Sequence, residues 1–251
     1  MIKKLVSFGC SWTYGDELLD PSLANANIPA YDRANDSYRE QHSYPGLIAK
    51  HYGLEYTCMA YPGASLRSMG WHFSWWLDHT TEKQKQESLV LVGLTDESRM
   101  SWYNPYHQVQ DSSLSDERTL QRQYIHSTWL KESIDIKDEP YQDEWRKLHK
   151  MYMTLSDCTP AQKLNYSDCV RLFDGAAARY NIPMLQFNVL AQTREPKLPT
   201  LLDSTSLMEI LVIRNKPRKQ PLLAKGLHPN EFGHRVIADY LIEKLDSAIM
   251  F

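Results

Sequence analysis

The chain has 251 residues, with 28 basic and 31 acidic side chains and a formal net charge of −3. That length is enough for one domain with a sizeable core, and the balanced charge provides no overall field to draw nucleic acid or an anionic membrane. No run approaches the roughly 18 apolar residues needed for a membrane span, and the start, Met1-Ile2-Lys3-Lys4, lacks the apolar stretch of a signal peptide; the expectation is a soluble, cytoplasmic protein.

In chain order, Leu5 to Phe8 reads as a short apolar strand ending at Gly9. Residues 12 to 43 are polar and rich in Asp, Asn, Pro and Tyr, which predicts a long loop over the sheet edge with room for a short helix. Tyr44 to His51 forms a helix closed by Gly53, and Leu54 to Ala60 a second strand. Ser65 is a helix N-cap, with Leu66, Met69, Phe73, Trp76 and Leu77 near helical spacing to about Asp78. Ser88 to Gly93 is a buried strand. Residues 100 to 155 change character: they are polar, aromatic and charged, with few aliphatics, and read as an insertion or lid with a helix from Tyr141 to Met153. Its aromatics, including Trp102, Tyr103, Tyr106, Trp129 and Trp145, suit internal packing of the insertion or sugar stacking. Cys158 to Tyr180 reads as a helix, Ile182 to Val189 as a strand, Arg194 to Leu223 as loop with a basic cluster from Arg214 to Lys219, and Asn230 to Met250 as an amphipathic helix.

Strands alternating with helices imply a mostly parallel sheet covered on both faces, a three-layer α/β/α sandwich of flavodoxin-like kind, here as a single domain over 1–251. In such sheets ligands gather beyond the carboxyl ends of the strands. Ser11, Gly63 and Thr95 each lie just past a predicted strand. A serine hydroxyl needs a base to become a nucleophile, and histidine titrates in the right range. Ser11 after the first strand and His228 before the last helix are therefore the candidate nucleophile and base. Attack on an ester carbonyl puts negative charge on oxygen, which preorganised donors must receive. The Ser11 and Gly63 backbone N–H groups are candidate donors, with a third expected from the loop after the Ser88 to Gly93 strand. Pro62-Gly63 also suits a type II turn. Trp12 and Tyr14 are candidate substrate-contacting side chains that could equally fold back into the core. The four cysteines, Cys10, Cys58, Cys158 and Cys169, show no Cys-x-x-Cys spacing, and the histidines no ligand spacing, so free thiols, no metal and no cofactor are expected.

With these residues in place the chain resembles the SGNH (GDSL-like) hydrolase family in four separated blocks. Gly9-Cys10-Ser11 stands where the family has Gly-Asp-Ser, and Ala60-Tyr61-Pro62-Gly63-Ala64-Ser65 resembles its second block. Gly93-Leu94-Thr95-Asp96 is similar to its third block, Gly-x-Asn-Asp, and His228-Pro229 to the end of its Asp-x-x-His-Pro block. The resemblance implies a serine esterase with Ser11 as nucleophile, His228 as base, and Ser11, Gly63 and Thr95 lining an oxyanion hole. It implies a small-molecule or saccharide ester as substrate, such as an O-acetyl ester of a saccharide, a simple acyl ester or a lipid, and does not choose among them. Two positions depart from the pattern. Thr95 replaces the family's Asn, and Lys225 stands where the family has the acid that orients the histidine. Either a backbone carbonyl orients His228, leaving a Ser–His dyad, or a carboxylate elsewhere does so; Asp203 and Glu209 are the candidates in the preceding loop. The departures also keep open a catalytically weak or inactive scaffold that binds rather than hydrolyses, or an acyltransferase using the same site.

Overall fold

The structure is a computed structural model. It describes residues 1–26, 28, 32–96, 99, 101–103, 124–126, 142–155, 159–190, 198–202, 205–215 and 221–248. Four strands, β1 (Lys4–Phe8), β2 (Glu55–Cys58), β3 (Ser88–Leu94) and, counting the ribbon described below, β6 (Met184–Asn188), form one sheet in the order β2-β1-β3-β6. Every pairing in it is parallel, with Val6 opposite Thr57 and Val90, and Val92 opposite Gln186. All of β3 and β6 is buried. Burial on both sides is why these strands read as continuous apolar runs rather than alternating ones.

The two faces can be followed through the register. Phe8, level with Val92, packs edge-on against Phe73 and Trp76 of helix α4 (Leu66–His79). Phe73 in turn meets Phe173 of the long helix α7 (Thr159–Tyr180). Phe187, one residue on from Gln186 and so on the opposite face, meets Tyr44 of helix α3 (Tyr44–Tyr52). Tyr44 stacks on His234 of the C-terminal helix α9 (Glu231–Ala248). Helices thus cover both faces, and the fold is the expected three-layer α/β/α sandwich with a parallel sheet.

Local signals set most boundaries. Gly53 ends α3 in the left-handed conformation, φ 67°, which costs glycine little. Ser65 caps α4 and exchanges hydrogen bonds with Ser68 in a capping box. The polar stretch after β1 holds one turn of helix, α1 (Ser11–Tyr14), two 3₁₀ turns and the short helix α2 (Asp36–His42). A further short helix, α5 (Glu82–Gln86), leads into β3.

One expectation fails. The stretch read as loop from Arg194 to Leu223 contains helix α8 (Leu207–Asn215). Leu207, Met208, Ile210, Leu211, Val212 and Ile213 give it no polar face, so it lacks the periodicity that betrays an amphipathic helix. Its N-terminus is nevertheless marked: the Ser206 N–H and hydroxyl donate to the Glu209 carboxylate, and the Glu209 N–H donates to the Ser206 hydroxyl. Of the expected insertion, the described parts are an antiparallel ribbon, β4 (Ser101–Tyr103) with β5 (Tyr124–His126), and helix α6 (Gln142–Leu155). Tyr106, Trp129 and Cys158 lie outside the described residues, as does most of the basic cluster. Arg214, at its start, pairs with Glu243 of α9 through both terminal nitrogens, at 3.0 and 2.5 Å. Cys10, Cys58 and Cys169 are buried, and no disulfide joins them among the described residues. Among the described residues no helix is long and apolar enough to cross a membrane, and no cluster of His, Cys, Asp and Glu could hold a metal ion.

Candidate active site

The carboxyl ends of β1, β2 and β3 carry the three loops picked out in the sequence. Ser11 opens α1 directly after β1, and its carbonyl accepts the N–H groups of Gly15 and Asp16, each at 3.0 Å. The turn is locked to the core by Thr13. The Thr13 side chain fills the space in front of Gly9 and Gly93, where a Cβ on either glycine would overlap it. Its hydroxyl shares a 2.7 Å hydrogen bond with the buried Tyr44 hydroxyl. The Tyr44 N–H donates to His234 Nδ1 at 3.1 Å. Thr13 therefore ties the loops after β1 and β3 to one helix layer.

The loop after β2 is joined to the serine turn by the Tyr61 N–H, which donates to the Gly9 carbonyl at 3.2 Å. Gly63 has φ 80°, and the Ala64 N–H reaches the Tyr61 carbonyl. This is the geometry of a turn with Pro62 and Gly63 at its centre, where a positive φ favours glycine. Thr95, immediately past β3, is 2% exposed, and its hydroxyl has no hydrogen-bond partner among the described residues. A buried donor without a partner is uncommon and costly.

Ser11 and His228, 217 residues apart in sequence, meet: the Ser11 Oγ to His228 Nε2 distance is 2.9 Å. His228 sits in a tight loop closed by the Leu223–Pro229 bridge, with the Ala224 N–H donating to the His228 carbonyl at 2.8 Å. Asn230 then opens α9, its side chain accepting the Gly233 N–H. Lys225 is exposed.

The carboxylate on the far side of the imidazole is Glu17. Its Oε2 lies 2.9 Å from His228 Nδ1 and accepts the His228 N–H at 3.2 Å, while Oε1 accepts the Gly226 N–H at 2.7 Å. Burial, the largest single influence, pushes the Glu17 carboxyl up, but these hydrogen bonds and the His228 charge together outweigh it and hold the group below its ordinary value. An ionised carboxylate only accepts. His228 Nδ1 therefore carries the proton, and in the neutral ring Nε2 presents its lone pair to the Ser11 hydroxyl. Gly226 is required by this contact, since a Cβ there would stand 2.6 Å from Glu17 Oε2. Glu17 and Leu227, on the two sides of the contact, both take left-handed φ values of 67°. Such strain in residues other than glycine persists only where surrounding contacts hold it.

The acid thus comes from the serine's own loop and not from the segment before His228. Of the candidates named from the sequence, Glu209 caps α8, and Asp203 lies outside the described residues. The signal in the sequence was the Asp16-Glu17 pair directly after Gly15. Asp16 is also close, with Oδ2 3.9 Å from His228 Nε2. Burial raises its pKa, opposed by the His228 charge and by the Glu17 N–H. Trp12 and Tyr14 are packed inside, 3% and 6% exposed. Trp12 belongs to the main core, and Tyr14 lies beside Cys58 and Ala60 under the Arg39 guanidinium, 3.8 Å from the ring centre.

No family model matches the sequence, and no curated protein does. Among solved structures the chain is similar to a member of the lipolytic G-D-S-L family from Veillonella parvula, at 14% identity over 96% of this chain and 97% of that one, with a TM-score of 0.38. It is similar to a carbohydrate esterase described as having divergent catalytic and non-catalytic binding functions, at 11% identity over 98% of this chain and 65% of that one, TM-score 0.44. A carbohydrate esterase family 2 enzyme with a carbohydrate-binding domain, from Corynascus thermopiles (Myceliophthora fergusii), is similar at 12% identity over 99% and 67%, TM-score 0.40. The chain itself has a parallel β2-β1-β3-β6 sheet between two helix layers, and a serine after its first strand meets a histidine before its last helix.

Proposed function

We propose that the protein is a serine ester hydrolase acting through an acyl-enzyme. The observation that carries this reading is the continuous chain of contacts Ser11 Oγ, His228 Nε2, His228 Nδ1, Glu17 Oε2, with both links at 2.9 Å. Nucleophile, base and orienting acid in hydrogen-bond reach of one another are the recurring parts of serine acyl transfer.

In the first step His228 Nε2 takes the Ser11 proton as Oγ bonds to the acyl carbon. The carbonyl electrons move onto oxygen, where the Ser11 N–H, the Gly63 N–H and the Thr95 hydroxyl receive the charge. The Thr95 hydroxyl, buried and without a partner among the described residues, supports this assignment, because a donor so placed suits an acceptor that arrives only with substrate. When the carbonyl re-forms, the ester C–O bond breaks and the leaving oxygen takes the proton from Nε2. Glu17 steadies the imidazolium in between. Water then repeats the sequence in reverse, losing its proton to His228 and releasing the acid and Ser11. No metal or cofactor enters these steps. The substrate class is an acyl ester of a small alcohol or saccharide.

A serine-directed fluorophosphonate probe tests the reading. The intact protein is expected to label, Ser11→Ala to abolish labelling, and p-nitrophenyl acetate hydrolysis to fall with it. An intact protein that neither labels nor hydrolyses the acetate refutes the proposal and favours a binding scaffold. Acyl transfer to added sugar alcohols in preference to water would assign it instead to the acyltransferases.

A further inference from the structure

Among the described residues two carboxylates approach the His228 ring, and the hydrolytic steps above use only one. Glu17 takes the Nδ1 side. Asp16 lies on the other, with Oδ2 3.9 Å from Nε2, the nitrogen that faces Ser11 Oγ. Asp16 is held at backbone and side chain: its backbone N–H donates to the Ser11 carbonyl at 3.0 Å, and its Oδ1 accepts the Glu17 N–H at 3.2 Å. That leaves Oδ2 for the ring side. The side chains of His228 and Asp16 are 22% and 20% exposed, so a ligand can reach both.

The leaving oxygen of an ester must come within hydrogen-bond distance of Nε2 to collect its proton. Whatever is attached to the neighbouring carbon then stands close to Asp16 Oδ2. A carboxylate accepts hydrogen bonds and repels negative charge. A hydroxymethyl group on that carbon has a partner there, a methyl group leaves the carboxylate without one, and a carboxylate is opposed.

We propose that Asp16 is a specificity-determining residue that accepts a hydrogen bond from a hydroxyl beside the ester oxygen, so that the site selects esters of polyhydroxy alcohols. This rests on the hydrolase reading above and narrows it to the leaving-group side. The positioning of His228 belongs to Glu17 and is separate.

The test compares three acetates that differ only next to the ester oxygen: 2-hydroxyethyl, ethyl and carboxymethyl acetate. The quantity read is the ratio of kcat/KM between esters, in the intact protein and in two variants, so that intrinsic reactivities cancel. Hydrogen bonds to charged groups are worth enough to shift such a ratio roughly tenfold to a hundredfold. Asp16→Ala is expected to lower the hydroxyethyl-to-ethyl ratio by about tenfold or more and to raise carboxymethyl acetate relative to ethyl. Asp16→Asn keeps an acceptor without the charge, so it should retain part of the hydroxyl preference while losing the discrimination against the anion. Equal loss on all three esters would mean that Asp16 acts only through His228, and overturns the proposal, as do unchanged ratios. Failure of the intact protein to label at Ser11 and to cleave any of the three esters sinks the hydrolase reading, and this proposal with it.

Discussion

Glu17→Gln separates the orienting role of the carboxylate from its bulk. The side chain keeps its length, but an amide has one accepting oxygen where Glu17 uses two, for the Gly226 N–H, the His228 N–H and His228 Nδ1. Either orientation puts an NH₂ group against a donor. If the oxygen turns toward His228, the ring tautomer survives and the Gly226 contact is lost. If it turns toward Gly226, the amide donates to Nδ1, the ring proton moves to Nε2, and Ser11 faces a donor in place of a base. A hydrogen bond to a charged group contributes about 1.5–3 kcal/mol, which at about 1.4 kcal/mol per decade is a rate loss of roughly tenfold to 150-fold from the ring contact alone. The tautomer error adds to that, and a comparable acid-to-amide change in a trypsin-like protease costs about 10⁴ in kcat. Glu17→Gln is therefore expected to lower kcat for p-nitrophenyl acetate by between about 10 and 10⁴, while fluorophosphonate labelling of Ser11 slows in step. Hydrolysis and labelling at the intact protein's rate, in a variant whose circular dichroism and melting are unchanged, would refute the claim that this carboxylate directs the imidazole.

Three further outcomes follow from contacts already described. Gly226→Ala places a Cβ 2.6 Å from Glu17 Oε2, and should cut kcat at least about tenfold by displacing the carboxylate, with melting little affected because the loop is exposed; steady-state kinetics and calorimetry check both. Thr95→Val removes the partnerless buried hydroxyl, and is expected to raise stability by about 1 kcal/mol while lowering kcat by about 10²–10³; urea unfolding with ester kinetics reads the two opposing effects, and a loss of stability would count against the burial argument. Burial pushes the His234 ring down to about 3 and, on the other face, the His72 ring down to about 4, from 6.5. Below pH 6.5 the unfolded chain then holds protons that the folded chain refuses, so stability is full above that pH and is lost on acidification by about 1.4 kcal/mol per pH unit for each ring. Urea unfolding at pH 7 and pH 5 should differ by about 4 kcal/mol, and equal values would contradict two buried neutral rings. The lowered carboxyl of Glu17 adds to the loss only below its ordinary value of 4.5.

The parts of the fold that were legible are those that obey a short-range rule. The apolar runs of β1, β3 and β6, the glycine stop at Gly53 and the Ser65 cap each announce themselves within a few residues. Helix α8 does not, because a segment apolar on all sides carries no period; only the Ser206–Glu209 cap betrays it. The site divides the same way. Ser11 and His228 are marked by their places at the ends of secondary structure. Glu17 reaches His228 across 211 residues, a proximity created by the close approach at Gly226 and by left-handed backbone at Glu17 and Leu227. The Asp16-Glu17 pair is visible in the sequence, but nothing around it points to a histidine 211 residues away, whereas Asp203 and Glu209 stand nearer to His228 along the chain.

Because hydroxyl and carboxylate ride on one short stretch of chain, a single docking event, the arrival of the loop bearing His228, supplies the imidazole and aligns it at once. A histidine whose acid travelled with it would stay correctly turned even when withdrawn. Here withdrawal of that loop takes away the base and its alignment together, and the serine is left as an ordinary alcohol.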